Sequence, residues 1–184
     1  MAEPVALYAD GGVIAVNPSP LGGTWAWCLV DAAGERVQTA SGVLTAAENG
    51  GPVTNNVTEL LALVAGLEAL PAGWRGTVYS DSWVSLQRVF CAAKLHGVPD
   101  WLRVRLHIVQ RTGRLAKLPY VLLDGHPTRA QLAAGVGKRG APVSEHNVFC
   151  DAECGRQARS YLEALHELPG ATLPGRGVEA RPVS

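Results

Sequence analysis

Thr54-Asn55-Asn56-Val57-Thr58-Glu59-Leu60-Leu61-Ala62-Leu63 runs from a polar stretch straight into an amphipathic helix. Val57, Leu60, Leu61, Val64, Leu67 and Leu70 recur at three-and-four spacing, and Pro71 with Gly73 closes the element. This pattern places Glu59 in the first turn, on an otherwise apolar approach. Thr54, Asn55 or Thr58 can cap such a helix, and an acid favours its N-terminus, so Glu59 has a purely local reading. Its company elsewhere argues for a shared site: Asp10 and Asp81 each end a strand-like run, and Asp151 precedes a second amphipathic helix.

Upstream, Val5–Ala9 is a short β-prone run ending at Asp10-Gly11-Gly12. A link rich in turn residues, Asn17-Pro18-Ser19-Pro20 and Gly22-Gly23, leads to a strand over Thr24–Val30. Asp31-Ala32-Ala33-Gly34 is a hairpin turn, and Arg36–Leu44 a third strand. Downstream, Gly76–Ser80 is a strand, Ser82 to Leu95 a helix, and Trp101 to Arg114 a further helix with Asp100 as its cap. Leu118–Leu123 is the fifth strand. Thr128 to Asn147, with glycine and basic residues at its centre, reads as a mobile surface loop with a short helical turn over Arg129–Ala134. The last helix runs from Asp151 to Leu168. The expectation is an α/β domain over residues 1–168, with helices on both faces of a five-stranded mixed sheet whose first three strands are antiparallel, followed by a disordered tail over 169–184.

The chain has 184 residues, 47 % of them hydrophobic, with no apolar run long enough to span a membrane and no signal-peptide blocks at its start. A cytoplasmic monomer is expected, and Cys28, Cys91, Cys150 and Cys154 read as reduced thiols. The net charge of zero conceals an uneven spread. Residues 101–143 carry Arg103, Arg105, Arg111, Arg114, Lys117, Arg129, Lys138 and Arg139 against Asp124 alone, which points to a polyanionic partner or to a solvated helix face.

Four clustered carboxylates resist ionisation unless cations sit among them. Divalent Mg²⁺ or Mn²⁺ prefers such oxygen ligands, and two ions about 3.5–4 Å apart can activate a water and stabilise the leaving oxygen of a phosphodiester. Tyr8-Ala9-Asp10-Gly11-Gly12, Asn17-Pro18 with Gly22-Gly23, Thr54-Asn55-Asn56 with Glu59-Leu60, Ser80-Asp81-Ser82, Gly125-His126, and Asn147 through Asp151 occur in that order. Together they resemble the type 1 ribonuclease H family over residues 5 to 165. The resemblance implies an endonuclease that cuts the RNA strand of an RNA/DNA hybrid, leaving 5′-phosphate and 3′-hydroxyl ends. Asp10, Glu59, Asp81 and Asp151 would hold two Mg²⁺ ions, with Mn²⁺ able to substitute.

The same resemblance makes Gly11, Gly12, Asn17, Asn55 and Asn56 the groups that read the minor groove, where carboxamides and backbone amides can test for a 2′-hydroxyl. Thr54 would seat a phosphate, and His126 would assist proton transfer or product release. The chain departs from the family in placing His126 twenty-five residues before Asp151 rather than about ten, which leaves His146 as the competing histidine. It also lacks the family's extra basic helix, so hybrid binding must lean on Arg103–Lys117 or on the Lys138-Arg139 loop. The same fold could instead serve a non-catalytic hybrid or duplex binder, or a nuclease for DNA or double-stranded RNA. His146, Cys150 and Cys154, with His126 as fourth ligand, make a zinc alternative of unusual spacing. The tryptophans read as core or rim, with Trp83 the exception for base stacking.

Overall fold

A computed structural model of the chain describes residues 3–91, 93–112 and 115–167. Alternation along the central strands sets its layers. β1 (Pro4–Val13), β2 (Gly22–Asp31) and β3 (Arg36–Thr45) form the expected antiparallel meander. β4 (Thr77–Ser80) and β5 (Tyr120–Leu122) add in parallel beyond β1, giving the order β3-β2-β1-β4-β5. Because side chains alternate along a strand, Leu7 and Ala9 of β1 with Trp27 and Leu29 of β2 face one way, and Ala6, Ala26, Cys28 and Val30 face the other.

The first face is covered by α2 (Asn55–Ala69), with α3 (Trp83–Phe90) and α4 (Asp100–Arg111) beside it. α2 buries residues on nearly every side, including Leu60, Leu61, Ala62, Leu63 and Val64, because the sheet lies on one flank and α3 and α4 on another. Leu60 is fully buried, so truncating it to Ala costs on the order of 2–5 kcal/mol. The second face is covered by α6 (Glu145–His166), which seats Cys150 and Cys154 against the sheet.

Several boundaries differ from the sequence reading. α6 begins at Glu145 rather than Asp151, because Ser144 caps it by accepting from the His146 N–H. The predicted loop of 128–147 is therefore built structure: α5 (Arg129–Ala134) starts in a Thr128/Gln131 capping box and ends at left-handed Gly135, and Val136 pairs with Pro142. α3 stops at Phe90, not Leu95. Pro99 holds the cap position of α4, so Asp100 is its first helical residue and makes no cap through its side chain. α4 ends at Arg111; the expected end, Arg114, lies outside the described residues. An unpredicted turn, α1 (Ala46–Asn49), sits in the loop before α2, held by a Thr45/Glu48 capping box. Leu168 and the expected tail over 169–184 also lie outside the described residues.

Candidate active site

The β1–β4 register brings two acids together. Tyr8 pairs with Tyr79, their rings stacked 4.6 Å apart, and Asp10 and Asp81 each follow two residues later. Both therefore emerge at the same edge of the sheet. Asp10 lies within β1 rather than at its end, since the strand continues to Val13. α6 crosses this edge and supplies Asn147 and Asp151, one turn apart on one face. The Cys154 thiol donates to the Asp10 carbonyl at 3.6 Å and fixes α6 against β1.

Two glycines allow the convergence. A Cβ on Gly11 would lie 2.4 Å from the Glu59 nitrogen, so only glycine lets β1 approach the start of α2 this closely. A Cβ on Gly125 would lie 2.3 Å from Asp81 Oδ2, so glycine likewise lets the chain after β5 pass the carboxylate.

Asp10, Asp81 and Asp151 line one cavity of about 250 Å³, together with His126 and Asn147. Burial, then the Asp81 charge, pushes the Asp10 carboxyl well above the usual range, although Gly11 N–H donates to it at 2.7 Å. Asp81 is also raised, chiefly by burial. Glu59 is the fifth residue of α2, beyond its first turn, and does not line the cavity. Its Oε1 accepts from Asn55 Nδ2 at 2.6 Å and its Oε2 from the Ser82 hydroxyl at 2.5 Å. Burial raises it to about 7 despite the Ser82 hydrogen bond and the Arg88 charge.

The two candidate histidines are placed differently. His126 lines the cavity with Nδ1 3.7 Å from Asp151 Oδ2, on a backbone of φ 50°. His146 is buried, 3.2 Å from Arg36 Nη1 and packed near Tyr8, with its pKa lowered by that burial. The zinc alternative finds no assembled ligand set among the described residues. Cys150 points to the Tyr8 carbonyl and Cys28, and its thiol is pushed up by Cys28 and by burial; burial pushes Cys154 up to about 12. Both thiols pack in the core against the sheet, away from the cavity that His126 lines.

Of the expected groove-reading groups, Asn17 Oδ1 accepts from the Asn55 N–H at 3.3 Å, which joins the link after β1 to the start of α2. Asn56 is exposed, and Thr54 caps α2 without a side-chain hydrogen bond. Asn55 spends its amide on Glu59 and Gly11 its N–H on Asp10. Sequence reasoning assigned no role to Ser82 or Asn147. Ser82 caps α3 and holds Glu59; the Asn147 side chain hydrogen-bonds Asp81 and keeps a buried, unpartnered Oδ1. The signals available for Asn147 were its four-residue spacing from Asp151 and its place at the start of the Asn147–Asp151 stretch.

In donor chemistry this oxygen-rich set fits a hard divalent cation, since buried carboxylates with raised pKa values gain most from one. In spacing it is open: among the described residues, no group of three or more His, Cys, Asp or Glu is close enough together to hold an ion. Two of the three α4 arginines are engaged elsewhere. Arg103 donates to the Val98 and Leu95 carbonyls, and Arg105 makes a two-point contact with Glu68. Trp83 is 52 % exposed, while Trp27 and Trp74 are core.

No family model and no curated protein matches the sequence. Solved structures do match. The compost-metagenome LC11-RNase H1 aligns at 19 % identity over 88 % of this chain and 99 % of its own, with a TM-score of 0.60. The same protein in complex with RNA/DNA hybrid aligns at 19 % identity over 85 % of this chain and 98 % of its own, TM-score 0.59. RNase H1 from the halophilic archaeon Halobacterium salinarum aligns at 22 % identity over 85 % and 98 %, TM-score 0.55. The chain thus has the ribonuclease H-like fold: a five-stranded mixed sheet with helices on both faces.

Proposed function

We propose that the chain is a nuclease of the ribonuclease H-like fold that hydrolyses the RNA strand of an RNA/DNA hybrid, leaving 5′-phosphate and 3′-hydroxyl ends. The observation that carries this reading is the single cavity shared by Asp10, Asp81 and Asp151, two of them with raised pKa values. Asp10, Asp81 and Asp151, with Glu59 as fourth ligand, would hold Mg²⁺ or Mn²⁺. A bound pair of such ions supplies an activated water and stabilises the leaving oxygen. Asn147 orients Asp81. Asn17, Asn55, Asn56, Gly11 and Gly12 meet the sugar edge, and Thr54 a phosphate. His126, beside Asp151, holds or moves a proton at Nδ1. The catalytic unit spans residues 1–168 and acts as a cytoplasmic monomer; no described helix is long and apolar enough to cross a membrane.

The open spacing of the acids, and the engagement of Glu59 by Asn55 and Ser82, favour a second reading. On it, the chain binds hybrid or duplex without cutting, or cuts DNA or double-stranded RNA. Labelled RNA/DNA hybrid incubated with Mg²⁺ separates the two. Cleavage of the RNA strand, abolished by Asp10→Asn, is the expected result; hybrid left uncut in both Mg²⁺ and Mn²⁺ overturns the nuclease reading, and competition by the other duplexes identifies the substrate.

A further inference from the structure

A second cavity, of about 300 Å³, opens beside the acid-lined one, and His126 and Pro127 line both. Its outer wall is the segment between β5 and α6, where Lys138 and Arg139 face it. Asp124 fixes that wall. Its carboxylate, 4 % exposed as a residue, accepts from the Arg139 backbone N–H at 2.7 Å and from Arg139 Nε, and its own N–H donates to the Pro142 carbonyl. The Arg139 guanidinium in turn holds the Asp124 carboxyl below its usual range. Gly137 packs so closely that a Cβ there would lie 2.3 Å from Asp124 Oδ2.

This anchorage uses one nitrogen of the guanidinium and leaves the other two without a partner among the described residues, on a side chain 71 % exposed. The Lys138 ammonium has no partner among them either. Arg103 and Arg105 of α4 differ, being committed to backbone carbonyls and to Glu68. An arginine pre-oriented by a buried carboxylate, next to a free lysine, matches a tetrahedral oxyanion with several acceptor oxygens.

We propose that this cavity is a backbone-phosphate site for a polynucleotide, in which Lys138 and Arg139 receive a phosphate flanking the one presented to Asp10, Asp81 and Asp151. The proposal rests on the nuclease reading for the direction of the strand, but binding at the cavity can be measured without cleavage. The whole chain, in EDTA, is titrated against fluorescein-labelled RNA/DNA hybrid by anisotropy between about 50 and 200 mM salt. Lys138→Gln is expected to weaken binding by about 3- to 10-fold at low salt and to reduce the slope of log affinity against log salt by about 1. Lys138→Glu weakens it further. Arg75→Gln, just before β4 and so at the end of that strand opposite Asp81, changes neither quantity. Wild-type affinity and slope in both Lys138 variants overturn the proposal, as does a wild-type protein that binds no hybrid. Hybrid bound through Lys138 yet uncut in Mg²⁺ leaves the cavity standing and removes the nuclease reading. Cleavage with Lys138-independent binding does the reverse.

Discussion

Ser82 Oγ lies 2.5 Å from Glu59 Oε2, tying the start of α3 to a carboxylate on α2. The same oxygen accepts from the Ser85 N–H as the cap of α3. Ser82→Ala removes both roles. Loss of a hydrogen bond to a charged group and of a helix cap together costs on the order of 2 kcal/mol. Because that bond favours the ionised carboxylate, Glu59 titrates at a higher pH in the variant than in the wild type. Carbon NMR of the Glu59 carboxyl and chemical denaturation measure the two effects; an unchanged titration refutes the assigned role.

Glu59 also gives the metal-free protein a pH-dependent stability. Its pKa rises from 4.5 to about 7 on folding, so between those values the folded state holds a proton that the unfolded state has released. Stability is fully present below the unfolded pKa and is lost as pH rises through the folded one. Since Glu59 is only partly screened by solvent, the loss from this group is on the order of 2 kcal/mol. Asp10 and Asp81 shift in the same direction and add to it. Urea denaturation in EDTA should show stability falling from about pH 5 to about pH 7.5, and Glu59→Gln should flatten the slope.

Divalent cations should reverse that loss. If Asp10, Asp81 and Asp151 hold Mg²⁺, binding requires their ionised forms and competes with protons. Mg²⁺ then raises the melting temperature more near pH 8 than near pH 6. Asp10→Asn removes most of the gain. Equal Mg²⁺ effects in wild type and variant would place the ion elsewhere.

Gly11→Ala tests how tightly β1 must meet α2. The new Cβ would fall 2.4 Å from both Glu59 N and the Thr58 carbonyl carbon, which are backbone atoms that cannot rotate away. The strand and helix must part, at a cost on the order of 1–3 kcal/mol. Denaturation midpoints provide the measure. Gly34→Ala, at a turn with open space around it, is a poor control because its φ of 84° strains any side chain; Gly12→Ala, whose Cβ would meet only Thr24 Oγ1 at 3.4 Å, is a better one.

What could be read in advance follows the range of the forces involved. The five strands and α2 were legible because their apolar periods are local; of the four acids singled out, Asp10, Asp81 and Asp151 share one cavity, while Glu59 stands outside its lining. The start of α6 was misplaced by six residues because Glu145, His146 and Asn147 look like loop, while the Ser144 cap is a one-residue signal. The engagement of Glu59 by Ser82 joins residues twenty-three apart in sequence, and only the packing of α3 on α2 creates it. Charge was visible along residues 101–117, but not its partners: Glu68 and the carbonyls of Leu95 and Val98 convert Arg105 and Arg103 from ligand-binding candidates into internal ties.

The stacked Tyr8–Tyr79 pair acts as a ruler for the acids beyond it. A slip of one residue between β1 and β4 would set Asp10 level with Ser80 or Ser82 instead of Asp81, and a side chain one place along a strand points to the opposite face. The spacing of the carboxylates is thus inherited from two aromatic rings and a ladder of backbone hydrogen bonds rather than from the carboxylates themselves. Neutralising the acids changes the site's charge while its shape persists, so inactive variants can serve as faithful traps for whatever strand this edge was built to receive.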